Sequence, residues 1–273
     1  RTGIRGAFVF ATLAAPATRN ALNDAMVAGL GDALALAESQ LDVRALVFRG
    51  AGGTFCAGGD FSGFRALMGA LPPADGVDPI VGVNRGFGAL LERIHASPVA
   101  TIAVVEGAAI GGGAGLAAAC DFVLAASNAQ FAMPEVTLGL PPAQIAPFIA
   151  ARVGHGAARR LLLTGRRLSA AQALACGLAD ELHDGAELDA RLHALLTELG
   201  RAEPAALRAT KAILQRRSTE PLGATLDFAA QGFAAALRSG TASEGLAAMS
   251  AKRSAAWVVR PDDATTWPTS IHS

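Results

Sequence analysis

Phe55-Cys56-Ala57-Gly58-Gly59-Asp60 and Gly107-Ala108-Ala109-Ile110-Gly111-Gly112-Gly113 are the two stretches on which the reading of this 273-residue chain turns. Each follows an apolar, strand-like run. Glycine lets a backbone approach a ligand closely and adopt dihedrals that other residues avoid. Two such turns can therefore aim peptide N–H groups at one ligand oxygen, so the pair reads as an oxyanion hole.

Outward from the turns, residues 6–13 and 43–49 read as strands from their short β-branched and aromatic runs. The amphipathic stretch 21–39 between them reads as a helix, which makes a β-α-β unit. Residues 99–105 form a third strand before the second glycine turn, 114–119 a short helix, and 122–125 a further strand. After Gln144 the pattern predicts helices alone, near 146–152, 156–164, 170–176, 187–199, 204–216, 222–238 and 243–254. The stretch 64–85, with Leu71-Pro72-Pro73 and Asp78-Pro79, reads as a loop before a helix at 86–94, and its place beside the first turn suggests a flap. An α/β fold follows, with strands early and helices late.

Composition narrows the function. Lys plus Arg and Asp plus Glu balance at 23 each, so there is no basic footprint of a nucleic-acid protein. Hydrophobic residues reach 52%, yet every apolar run is interrupted before membrane-spanning length, which predicts a soluble chain with some apolar surface hidden between subunits. Cys56, Cys120 and Cys176 are too few and scattered for a disulfide framework, and no Cys or His pair has metal-ligand spacing. A reducing compartment, the cytoplasm by default, and no metal are the expectations.

Taken together, Arg19-Asn20-Ala21-Leu22-Asn23, the two glycine turns, Ala119-Cys120-Asp121 and Phe131-Ala132-Met133-Pro134-Glu135-Val136 resemble the crotonase, or enoyl-CoA hydratase/isomerase, superfamily. Leu163-Thr164-Gly165, Gly177-Leu178, Ala209-Thr210-Lys211 and Glu244-Gly245-Leu246 agree, so the resemblance spans nearly the whole chain. It implies a crotonase-like spiral of ββα units over residues 1–200, and a helical region, 201–273, that assembles trimers or pairs of trimers. It also implies an acyl-CoA thioester substrate with coenzyme A as part of it and no tightly bound cofactor, while the balanced charge and the interrupted apolar runs argue against a nucleic-acid or membrane partner.

The resemblance assigns the oxyanion hole to the N–H groups of Gly59 and Gly112, and acid/base work to Glu135, whose carboxyl would be desolvated by neighbours such as Phe131 and Leu138. Arg19, Ala21 and Ala57 match positions that line the CoA entrance. Arg19 either meets a phosphate or is a solvated first-turn residue, and Asp60 is placed to cap a following helix. Cys56, Cys120 and Asp121 are expected to be structural.

The chain departs from the family at two places. Where two-glutamate hydratases carry their other carboxylate, this chain has Gly115, leaving room for a branched acyl chain. Leu140-Pro141-Pro142-Ala143-Gln144 replaces a glycine pair and resembles a branch that includes hydratases of branched glutaconyl-type CoA esters. Gln144 either bonds a water or substrate carboxylate or is an ordinary helix-start side chain. The reading is a hydratase-type lyase using one glutamate. A 3,2-enoyl-CoA isomerase and a silent acyl-CoA-binding or RNA-associated relative are the alternatives.

Overall fold

The computed structural model describes residues 1–60, 76 and 78–262. In chain order the strands are β1 (Thr2–Arg5), β2 (Phe8–Leu13), β3 (Ala45–Gly50), β4 (Ala100–Val105), β5 (Ala108–Ile110), β6 (Phe122–Ala126), β7 (Gln130–Ala132), β8 (Arg167–Ser169) and β9 (Glu181–His183). The helices are α1 (Asp24–Ser39), α2 (Pro79–Ala96), α3 (Gly112–Ala119), α4 (Ala146–Thr164), α5 (Ala170–Ala175), α6 (Gly185–Gly200), α7 (Pro204–Thr219), α8 (Leu222–Arg238) and α9 (Thr241–Ser250). A six-stranded sheet runs β1-β2-β3-β4-β6-β9, and a smaller one runs β5-β7-β8.

From β2 to β9 the large sheet is parallel, and every residue of β2 and β4 is buried. Such strands need cover on both faces. Val9, Ala11, Leu46, Phe48 and Ala103 face one layer, where Leu30 and Leu34 of α1, Leu91 and Ile94 of α2, and Leu116 of α3 meet them. Phe8, Phe10, Val47, Ile102 and Leu124 face the other, closed by Leu188, Leu192, Leu195 and Leu199 of α6. Alternation along each strand divides the apolar residues between the two cores.

The β2-α1-β3 unit is present as expected, but α1 begins at Asp24 rather than at residue 21. Asn23 caps it, its Oδ1 accepting the Met26 N–H at 2.8 Å, and Leu22 pairs instead with the first glycine turn. The expected strand at 6–13 is present as β2, and the preceding β1 runs antiparallel to it as the other arm of a hairpin. Helices do not monopolise the second half: β8 pairs with β7, and β9 joins the large sheet beside β6. Each is three residues long, too short to show a period against its helical neighbours. Residues 79–85, read as loop, are the first turns of α2. Pro79 occupies the first turn and Asp78 Oδ1 accepts the Ile80 N–H at 2.8 Å, so a helix start looks like a loop in sequence. The remainder of the expected flap lies outside the described residues, apart from Gly76 and Asp78.

Two buried cations tie the C-terminal helices to the sheet. Lys211 Nζ of α7 donates to Val99 O at 2.8 Å and Asp121 Oδ2 at 2.5 Å, and the same oxygen accepts the Thr101 N–H. Arg44, 2% exposed, donates to Ala202 O and to Trp257 O. Asp121 is thus structural, as expected.

Candidate active site

Strand pairing assembles the site. Cys56 forms a parallel bridge with Ala109: its N–H donates to Ala108 O at 2.9 Å and its carbonyl accepts the Ile110 N–H at 2.9 Å. The two glycine turns are thereby laid side by side. A Cβ on Gly58 would stand 2.8 Å from Ile110 O and 3.7 Å from Gly112 N, and one on Gly113 would stand 2.5 Å from Cys56 O. Gly58 at φ +98° and Gly111 at φ +52° occupy backbone regions that favour glycine.

Within these turns Gly58, Gly111 and Gly113 are buried, whereas Gly59 and Gly112 remain partly open. Leu22 pairs with Gly59 through the Gly58 carbonyl and the Asp60 N–H, so the alternation of extended peptides turns the Gly59 N–H away from Leu22. Gly112 opens α3, and a first-turn N–H has no intrahelical acceptor. Neither N–H has an acceptor among the described residues.

The β5–β7 register brings in the carboxylate. Ile110 pairs with Ala132, and the Gly111 N–H donates to Ala132 O at 2.8 Å. Three residues later Glu135 opens a 3-10 turn, Glu135–Leu138, directly beside Gly111. A Cβ on Gly111 would lie 2.8 Å from Glu135 Oε1. The other oxygen, Oε2, is buried and has no partner among the described residues. Desolvation raises the carboxyl above its ordinary value, against a smaller opposing pull from its own backbone N–H. Phe131 is fully buried below, but Leu138 is 55% exposed and is not part of the desolvating wall.

Gly115 does not leave space. A Cβ there would stand 2.8 Å from Ile145 Cβ and 3.5 Å from Leu91 Cδ1, so an aliphatic plug fills the volume that the sequence assigns to a branched chain. Gln144 is partly buried and its Nε2 donates to Asn84 Oδ1 of α2 at 2.7 Å. That amide is committed to a helix contact. Cys56 and Cys120 are buried thiols pushed up to about 12 by desolvation, which leaves them as packing groups. Among the described residues no cluster of three or more His, Cys, Asp or Glu could hold a metal ion.

Arg19 is exposed at the rim, and its carbonyl accepts the Ala57 N–H at 3.0 Å. Ala21 and Ala57 are half-buried beside it. The helix that Asp60 was expected to cap lies outside the described residues. The sequence placed Asn20 only within the stretch Thr18-Arg19-Asn20-Ala21 that matches the CoA entrance, whereas the residue is fully buried at φ +57°. Its Oδ1 accepts the Ala15 N–H at 2.9 Å, while Nδ2 donates to Ala51 O at 2.9 Å and Thr54 O at 2.6 Å. One amide fixes the loop that leads into the first turn. Asn20→Asp would point an acceptor at two carbonyls in a dry site, and is expected to cost about 3 kcal/mol in chemical denaturation. A loss below about 1 kcal/mol would contradict this role.

The profile of the enoyl-CoA hydratase/isomerase family matches residues 4–260. The chain belongs to that family. It is an enzyme of the crotonase fold class, and acyl-CoA thioesters are the family's substrates. An enoyl-CoA hydratase/isomerase from Marinobacter aquaeolei superposes with TM-score 0.91 at 38% identity, covering 95% of this chain and 98% of that one. AtuE from Pseudomonas aeruginosa gives 0.89 at 42% identity, covering 95% and 99%. The mouse mitochondrial enoyl-CoA hydratase domain-containing protein 2 is 34% identical over 249 residues, 89% of this chain and 81% of that protein. No described helix of this family member is long and apolar enough to cross a membrane.

Proposed function

We infer that this enzyme adds water to, or removes it from, the double bond of an unsaturated acyl-CoA thioester. The thioester oxygen sits between the N–H groups of Gly59 and Gly112, and Glu135 directs water and moves its proton. Negative charge develops on that oxygen, and each fixed donor stabilises the enolate-like transition state by about 2.7–4 kcal/mol. One observation carries the reading: the Glu135 carboxyl stands against the turn that ends in Gly112, with one oxygen buried and unpartnered. Arg19 and the backbone at Ala21, Ala57 and Asp60 lie on the coenzyme A side, where Arg19 meets a phosphate. Coenzyme A enters with the substrate. We place the enzyme in a reducing compartment, the cytoplasm, where the thiols of Cys56, Cys120 and Cys176 stay free.

Ile145 in the place of a second carboxylate favours one alternative, a 3,2-enoyl-CoA isomerase, because carrying one proton between two carbons needs one glutamate. Mass spectrometry of acyl-CoA products formed in heavy-oxygen water separates the two. Label uptake supports hydration, an unlabelled isomerised product replaces it with isomerisation, and binding without turnover across a broad panel overturns both.

Assembly is assigned to the C-terminal helices. Leu222, Leu226, Phe233 and Leu237 of α8, with Leu246 and Met249 of α9, expose large apolar side chains. Their spacing makes a stripe of the kind that interfaces cover. The wild type is expected to sediment as a trimer or a pair of trimers, and Leu226→Glu with Phe233→Glu as a smaller species. A monomeric wild type would remove the assignment.

A further inference from the structure

The dipeptide Gln144-Ile145 is wedged between α2 and α3. Asn84, Gly88 and Leu91 lie at i, i+4 and i+7 and so share one stripe of α2. Gln144 Nε2 bonds Asn84 at 2.7 Å, and the rest of its amide lies in the notch at Gly88, where a Cβ would stand 2.7 Å from Gln144 Cδ and nearer still to Oε1. Ile145 lies against the bare Gly115 of α3, and Leu91 of the stripe comes within 3.5 Å of the same Cβ position. Two glycines on two helices are thus shaped to one dipeptide.

Phe87, the residue before Gly88, turns its ring to the other helix. Its Cε1 and Cζ would both lie 3.3 Å from a Cβ on Gly112, beside the proposed oxyanion donor. Whatever fixes the height of α2 at Gly88 therefore fixes how far this ring reaches over Gly112. Gln144 and Asn84 are separated by sixty residues in sequence and are both partly buried, so their bond is a cross-link between the segment after Glu135 and the helix that carries Phe87.

We propose that the Gln144–Asn84 amide clasp, seated at Gly88, positions Phe87 over Gly112 and so sets the acyl-chain length this enzyme accepts. Gln144 and Asn84 are positioning residues that touch no reacting atom, and Phe87 is the specificity-determining wall. The role rests on the acyl-CoA reading above. It assigns Gln144 differently from a water or carboxylate ligand, because one amide N–H is held by Asn84 and Oε1 lies in the notch at Gly88. Breaking the clasp frees α2 to move by a fraction of an ångström, which changes the space beside the thioester and not the chemistry of Glu135. Small errors of placement at a reacting centre cost large factors in rate.

The test compares Gln144→Ala, Asn84→Ala, Asn84→Asp and the Gln144→Ala/Asn84→Ala pair with the wild type. One readout is the ratio of kcat/KM for trans-dec-2-enoyl-CoA to that for trans-but-2-enoyl-CoA. The other is the ratio of affinities for decanoyl-CoA and butanoyl-CoA by calorimetry, which needs no turnover. Both alanine variants are expected to shift each ratio about tenfold toward the longer chain, the scale on which pocket contacts discriminate chain length. The double variant should shift no further than either single one, and Asn84→Asp, which keeps the acceptor, should return the ratio to within about twofold of wild type. Uniform loss on both chain lengths, with or without a fall in Tm, would overturn the clasp as a specificity device and leave it a plain packing contact. If the wild type binds acyl-CoAs but turns none over, the catalytic reading fails by itself, and the affinity ratio still decides the clasp.

Discussion

Glu135→Gln is expected to lower kcat about a thousandfold, within the range that a positioned general acid or base contributes. The amide keeps the shape of the side chain but cannot accept and return a proton. Binding should hardly change, because the site grips the thioester through backbone N–H groups that the substitution leaves alone. Calorimetry with a saturated acyl-CoA is therefore expected to give affinities within a few-fold of wild type. Full hydration activity in purified Glu135→Gln would sink the assignment, and a loss confined to KM would mean that the carboxyl merely holds substrate.

The same substitution carries a sign in pH that tests the buried oxygen directly. Burial raises the folded carboxyl above its ordinary value near 4.5, so the folded state holds this proton more tightly than the unfolded chain does. The stability associated with the neutral group is fully present below the ordinary value and is lost as pH rises through the raised one. Glutamine has nothing to ionise. The variant should therefore match wild type in Tm at the acid end and gain on it as pH rises across that window. Activity runs the other way, since the hydration step needs the carboxylate: wild-type kcat/KM should fall as pH drops through the raised value, and the variant should lack that limb. A Tm difference independent of pH would show that Glu135 is ordinarily solvated.

How far the sequence led is clear from particular residues. The pairing of the two glycine turns was legible because both follow apolar runs in order, Glu135 stood out through the family resemblance rather than through any local demand, and β2-α1-β3 was legible from its periodicity. The short strands β5, β7, β8 and β9 were not, because three residues such as Arg167-Leu168-Ser169 contain one alternation and no more. Pro79 misled for a physical reason as well: the missing N–H that breaks a helix interior is harmless at its start. The filling of Gly115 was invisible, since Ile145 lies thirty residues away in sequence and meets it only after α4 has been packed. Asn20 shows the remaining gap. A single amide that satisfies three backbone groups looks, in sequence, like any polar residue in a loop.

Neighbouring glycines in the second turn are expected to behave differently, and the contrast follows from what stands in front of each. A Cβ on Gly113 would meet Cys56 O at 2.5 Å and Cys56 Cβ at 2.8 Å. That carbonyl is already held by the Ile110 N–H, so it cannot step aside without opening the bridge that joins the two turns. Gly113→Ala should therefore cost about 3 kcal/mol in stability, the upper end for overpacking, and lower kcat/KM about 100- to 1000-fold, the scale of losing one oxyanion donor. A Cβ on Gly112 would meet Leu22 Cδ1 at 2.8 Å and the Phe87 ring at 3.3 Å. The one severe contact, Leu22 Cδ1, is a side-chain end that can rotate away, and the ring at 3.3 Å needs to give only a few tenths of an ångström, so Gly112→Ala is expected to lose no more than about tenfold in kcat/KM. Adding Leu22→Ala to Gly112→Ala should recover part of that loss, whereas no trimming of the Cys56 side chain can rescue Gly113→Ala, because the nearer obstacle is the Cys56 backbone oxygen. Equal effects of the two alanines on kcat/KM and Tm would mean that the turns are not locked through Cys56, and the donor geometry proposed for Gly59 and Gly112 would lose its support.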